Sequence, residues 1–170
     1  MNIFHALRSF VLLVLVVTLS ACGFHLRGAA ELPFKTLFLG FPSNSAFGAE
    51  LARNLRAGTH TRVVNTREEA EAALDVMNES REREVLSLNA QGRAREFQLR
   101  SRITLRVVDR SGRELLGPLT LSAQRDVAFN DAQVLAKESE EALLYRDMQS
   151  DLVQQILRRL AAVQVNVPAR

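Results

Sequence analysis

The sequence predicts an α/β fold: a two-layer sandwich with a mixed, mostly antiparallel sheet and two main helices packed on one face. Three observations lead there. Residues 95–109 alternate strictly, with Phe97, Leu99, Ile103, Leu105 and Val107 on one side and Glu96, Gln98, Arg100, Arg102, Thr104 and Arg106 on the other. Glycine-containing turns at 90–92 and 110–112 join this segment to two extended neighbours. Two amphipathic stretches, one short and one long, carry apolar stripes at helical spacing that can cover the apolar face and leave the polar face free.

Taken in chain order, residues 35–41 read as a short strand with Leu37 and Leu39 on one side and Thr36, Phe38 and Gly40 on the other. A turn at Pro42, Ser43 and Asn44 follows, and Asn44 or Ser45 can cap the next helix. That helix covers 46–57, with Phe47, Leu51 and Leu55 at i, i+4, i+8 and Gly58 as its C′ residue. Residues 62–65 form a second short strand. Thr66 to Glu69 matches a capping box, which predicts a short helix through Ala72.

Three longer strands come next. In residues 74–89 the alternation breaks over the charged run 79–84, which predicts a bulge or twist there. Residues 95–109 form the clearest strand. Residues 114–129 continue the pattern, and Pro118 places that strand at an edge or beside a bulge. Asn130 or Asp131 can cap a final helix from Ala132 to about Val163, striped by Leu135, Ala142, Tyr145, Met148, Leu152, Ile156 and Leu160. Residues 165–170 form a short tail in which Pro168 opposes helix.

The first residues are of another kind. A weakly basic segment with Arg8 precedes the apolar run 10–19, and Leu19-Ser20-Ala21-Cys22 follows. The run is well short of the ~20 residues a membrane-crossing helix needs. Its three parts are those of a secretory signal. The flanks of Cys22, the one cysteine in the chain, resemble a lipobox, so residues 1–21 are expected to be removed and Cys22 to carry a covalent lipid. Each buried methylene contributes ~0.8 kcal/mol to such an anchor. Gly23 rather than aspartate follows, which favours the outer membrane over retention in the inner one. The expected organisation is thus signal 1–21, lipidated tether 22–34, one domain 35–164 and the tail.

Charge is nearly balanced, 22 Lys and Arg against 19 Asp and Glu, which argues against bulk nucleic-acid binding. No catalytic constellation, metal-ligand spacing or phosphate-binding glycine motif is present, so neither an enzyme nor a cofactor or metal is expected. The distinctive polar feature is arginine. Arg93 lies in a turn, Arg95 beside the central strand, and Arg100 and Arg102 on one side of it, ~6.6 Å apart. Such a face can contact anions, or can be a solvated face paired with Glu82, Glu84 and Asp126.

The run Cys22-Gly23-Phe24-His25-Leu26-Arg27-Gly28 resembles the start of the mature chain in the LPS-assembly lipoprotein family, LptE. Leu32-Pro33, Glu96-Phe97-Gln98-Leu99, Leu135-Ala136-Lys137-Glu138 and Tyr145-Arg146-Asp147-Met148 extend the resemblance across the mature domain. It implies a two-layer α/β sandwich and a non-catalytic role. It also implies a plug within LptD, the outer-membrane barrel that delivers lipopolysaccharide, with help in that barrel's assembly and direct contact with lipopolysaccharide. By the family motif Lys137 is a contact residue. Ala90 departs from the basic residue some relatives carry at the hairpin, where Arg93 and Arg95 lie nearby. The other reading is an envelope lipoprotein that faces the periplasm and only scaffolds a protein partner.

Overall fold

The computed structural model describes residues 4–5, 31–128 and 134–163. Cys22, most of the tether, Phe129, the proposed caps Asn130 and Asp131, and the tail 165–170 lie outside them. The elements are β1 (Thr36–Gly40), α1 (Ala46–Gly58), β2 (Arg62–Val64), β3 (Ala72–Leu88), β4 (Ala94–Asp109), β5 (Glu114–Ala128) and α2 (Val134–Ala161). The five strands form one sheet in the order β2-β1-β3-β4-β5. β1 runs parallel to both its neighbours, while β3, β4 and β5 are mutually antiparallel. This is the predicted mixed sheet under two helices.

The core lies between the sheet and both helices. Leu99, Ile103, Leu105 and Val107 of β4 meet Phe47, Leu51 and Leu55 of α1 and Met148, Leu152, Ile156 and Leu160 of α2, all buried. Phe34 and Leu37 join the same cluster and Leu32 packs against it, so packing begins within the expected tether. Ser45 caps α1, its hydroxyl accepting from the Gly48 N–H at 3.0 Å. Gly58 does not take the left-handed conformation expected of a C′ residue. The helix is closed instead by Thr59, whose hydroxyl donates to the Leu55 carbonyl at 2.7 Å.

The predicted short helix after Thr66 does not form. Ala72 and Ala73 are drawn into the sheet beside Leu37 and Phe38 of β1, and burial there outweighs the local capping signal. The 67–71 segment is a turn fastened to β1: Lys35 N–H donates to the Glu71 carboxylate at 2.6 Å, and Glu71 N–H donates to the Thr36 hydroxyl at 2.9 Å.

The bulge in β3 is also displaced from its expected place. Residues 79–84 pair with β4 in unbroken register, and the register slips on either side, at Met77 and Leu86. One extra residue reverses which side chains face the helices. Before Met77 the helix-facing residues are Leu74 and Val76, opposite Val107 and Leu105. After it they are Glu79, Arg81, Arg83 and Val85, opposite Ile103, Ser101, Leu99 and Phe97. Pro118 fits both expectations: β5 is an edge strand, and its register against β4 slips between Leu116 and Leu119.

The two hairpins share one construction. Asn89 and Asp109 each accept, through Oδ1, from backbone N–H groups two and four residues on. Gly92 and Gly112 supply the positive φ that follows, 74° and 85°. A hydrogen bond from Ser111 is the main reason that the Asp109 carboxyl titrates below its ordinary value. The β3–β4 turn lies at one end of the sheet. The β4–β5 turn and the start of β1 lie at the other, since Ala72 pairs with both Leu37 and Asp109.

Leu152, fully buried beneath α2, supplies a stability test. Leu152→Ala should cost about 3 kcal/mol in urea denaturation. Gly48→Ala should also destabilise, because a Cβ there would come within 2.7 Å of the Phe41 Cβ. Ser45→Ala should cost about 1 kcal/mol through the lost cap.

Candidate functional site

The arginines singled out from sequence fall into two separate places. Arg100 and Arg102 stand on the sheet face away from the helices and are tied into a cross-strand ladder. Arg102 lies 3.2 Å from Glu82, and Arg100 lies 3.8 Å from both Glu82 and Glu84. Arg106 continues the ladder to Asp75 at 3.3 Å and Glu114 at 3.8 Å. Exposed pairs of this kind add little stability each, but they occupy the guanidinium groups. Gln98 also bonds Asp126 at 3.1 Å, so the acidic neighbours named from sequence do line this face.

Lys137 is on the other side of the sheet. It lines a crevice of about 100 Å³ between the first turns of α2 and the sheet, floored by Phe97, Leu99 and Val127. Its ammonium bonds Glu140 at 2.7 Å. Arg83 shares the crevice; its guanidinium stacks 3.8 Å above the Phe97 ring and lies 3.4 Å from Glu141. Arg93 closes the hairpin turn through its backbone N–H to Asn89, and Arg95 lies exposed where the register of β4 slips against Leu88. The structure therefore gathers Lys137, Arg83, Arg93 and Arg95 at the hairpin end of the molecule and leaves Arg100 and Arg102 out.

Arg83 and Arg81 were not legible as members of this face, because the Met77 bulge reverses the alternation that sequence reading follows. Arg81 lies over the Tyr145 ring at 5.2 Å and donates to Gln149 at 3.3 Å. The buried Gln149 amide donates in turn to Glu50 of α1 at 2.6 Å, and Ser150 donates to the same carboxylate at 2.6 Å. Tyr145 donates its hydroxyl to the Glu82 carbonyl at 3.0 Å. These bonds join β3, α1 and α2 around a groove of about 940 Å³ beside the crevice.

On β5, Arg125 turns toward α2 and pairs with Asp147 at 2.8 Å and with Asp151. These hydrogen bonds, Asp151's first, raise its pKa. The site can hold an anion with an apolar portion: it offers cations at the rim, an aromatic and aliphatic floor, and no group of three or more His, Cys, Asp or Glu among the described residues suited to a metal. No helix among the described residues is long and apolar enough to cross a membrane.

Burial, followed by the Glu141 charge, raises the Tyr145 pKa above its ordinary value, with Arg81 and Arg83 opposing. A raised folded-state value means that stability is intact below about pH 10, the unfolded value, and falls as pH rises through the folded value. Tyr145 is the one tyrosine of the chain. Tyr145→Phe should lose about 1 kcal/mol at pH 7 with the hydroxyl bond, yet decline less steeply than the parent above pH ~10, measured by urea unfolding across that range.

A family model described as LptE, Lipopolysaccharide-assembly, matches residues 34–160. The LPS-assembly lipoprotein LptE of Pectobacterium atrosepticum is 28% identical over 163 residues, covering 94% of this chain and 87% of that one. Among solved structures, the uncharacterized lipoprotein B of Nitrosomonas europaea is 41% identical with a TM-score of 0.71, covering 82% of this chain and 91% of that one. A minor lipoprotein of Acinetobacter baumannii is 28% identical with a TM-score of 0.63, covering 77% and 93%.

Proposed function

We propose, from the premise that this chain belongs to the LptE lipopolysaccharide-assembly family, that it is an outer-membrane lipoprotein anchored through Cys22. In this reading it plugs the LptD barrel, assists the barrel's assembly, and contacts lipopolysaccharide in transit. The family match across residues 34–160 is the observation that carries it. The geometry adds support. The chain enters β1 at one end of the sheet, and the cationic crevice is at the other. At about 3.3 Å per residue, the 17 residues of β3 separate the two ends by roughly 50 Å. An anchor at the membrane surface thus leaves the crevice free to meet lipid elsewhere along the barrel.

Lipopolysaccharide is an anionic amphiphile: Lys137 beside Phe97 and Val127 offers it charge and an apolar surface, and Arg93 and Arg95 add positive charge at the hairpin end. Arg100 and Arg102 are assigned a lesser part, since they stand on the opposite side of the sheet from the crevice, where Glu82 and Glu84 pair with them. A polar sheet face rich in internally paired charge suits the polar lumen of a barrel.

Gentle detergent extraction should recover a stable complex with a large β-barrel; recovery of the free lipoprotein alone would sink the plug reading. Lys137→Glu combined with Arg95→Glu should weaken binding to purified lipopolysaccharide about tenfold or more with the melting temperature unchanged. Arg102→Gln should leave that affinity nearly intact. Cys22→Ala should release the protein from the membrane fraction, and unaltered fractionation would remove lipidation as the tether.

A further inference from the structure

β1 covers only the first part of the β3 edge. Its four partners on that strand are Ala72 to Asp75; from Met77 to Leu88, β3 has β4 on one side and no strand among the described residues on the other. An edge of this length is a template for pairing. The side chains along it are also unlike the rest of the surface. Met77, Val85, Leu86 and Leu88 are 55%, 48%, 46% and 61% exposed, and they make up most of the large exposed hydrophobics among the described residues. On its helix side the edge opens into the 940 Å³ groove, whose apolar wall includes Ala46, Ala49 and Ala142.

The charges on this edge say what kind of strand fits. Between the two bulges, Glu82 and Glu84 point to the open face of the sheet, and Arg81 and Arg83 point to the helix side. In an antiparallel pair, opposed residues share a face. A two-fold copy centred on Glu82 would oppose Glu82 to Glu82 and Arg81 to Arg83. One centred on Arg83 would oppose Arg83 to Arg83 and Glu82 to Glu84. Like charges directly opposed are unfavourable, so the pattern resists a second copy of this chain. The groove has positive charge to spare. Arg83 is engaged by Glu141, and Glu50 by Gln149 and Ser150, whereas Arg53, Arg81 and Arg146 have no carboxylate within 4.0 Å among the described residues, against Glu138 alone.

We propose that the β3 edge from Met77 to Leu88 takes up an extended segment of a different polypeptide as an added strand, with carboxylates on the positions that face the groove. The backbone of β3 supplies the pairing once the Tyr145 hydroxyl yields the Glu82 carbonyl to the added strand, and Arg53, Arg81 and Arg146 select the acidic face. The strand lies in line with β1 and completes the sheet over the groove. This surface does not depend on lipid binding at Lys137, and its test contains no lipopolysaccharide, so the two readings stand or fall separately.

The test uses the full-length lipoprotein in detergent micelles and three synthetic peptides: alternating threonine and glutamate, the same peptide N-methylated at every second residue, and alternating threonine and lysine. The first should bind saturably by fluorescence anisotropy and slow amide exchange in 77–88 roughly tenfold. The other two should bind at least about tenfold more weakly. Arg53→Glu with Arg146→Glu, both on exposed helix positions away from the ladder, should weaken the first peptide by a similar factor without lowering the melting temperature. Equal binding of the N-methylated peptide would reduce the effect to charge alone and overturn strand addition. Equal binding of the lysine peptide would overturn the acidic assignment. Concentration-dependent dimerisation protecting 77–88 would make a second copy the occupant. Full protection of those amides in the free monomer, relieved by removing residues 23–30, would make the chain's own tether the occupant.

Discussion

The apolar side of β4 is the constraint to which the other elements answer. Leu99, Ile103, Leu105 and Val107 are within 1% of complete burial, and no single neighbouring element can cover them. β3 and β5 flank them in the sheet, and α2 lies across them with Met148, Leu152 and Ile156. Covering one side of a strand so fully leaves the other side to water, and that is why β4 presents Gln98, Arg100, Arg102, Thr104 and Arg106 there. The same division places the ion-pair ladder and the Lys137 crevice on opposite sides of one strand.

That division was legible because β4 keeps a strict period of two over its length. So were α1 and α2, whose stripes survive in the buried Phe47, Leu51 and Leu55 and in Met148, Leu152, Ile156 and Leu160. The 66–72 segment misled because its signal is local and its fate is not. Ala72 is worth more in the sheet beside Leu37 than in a free turn of helix. In β3 the run of charges suggested an interruption where the pairing is in fact regular. The residues at which the register slips on either side, Met77 and Leu86, are apolar and look ordinary in sequence.

The candidate site was partly readable for the same reason. Lys137 carries a family pattern, whereas at the hairpin Ala90 departs from it and Arg93 and Arg95 are basic residues nearby. Arg100 and Arg102 matched the chemistry of anion contact equally well by type. Their partners, Glu82 and Glu84, were named from sequence as one of two readings of this face, and the register sets them opposite. Arg81 and Arg83 were hidden by the parity change. Residue type proposes a contact, but the side of the sheet decides which surface the charge can serve.

The shared turn design has a consequence for how this fold can vary. Each long hairpin is closed by a self-contained turn, Asn89 to Arg93 or Asp109 to Arg113, whose hydrogen bonds lie within the turn itself. Such a turn can ride outward on longer strands without being redesigned. Two residues added to each of β3 and β4 would carry the tip about 7 Å farther and keep every side chain on its own side, whereas one residue would turn the strand inside out. The β3–β4 arm is in this sense an adjustable ruler, graduated in steps of two, whose length can change while the packed base stays unaltered.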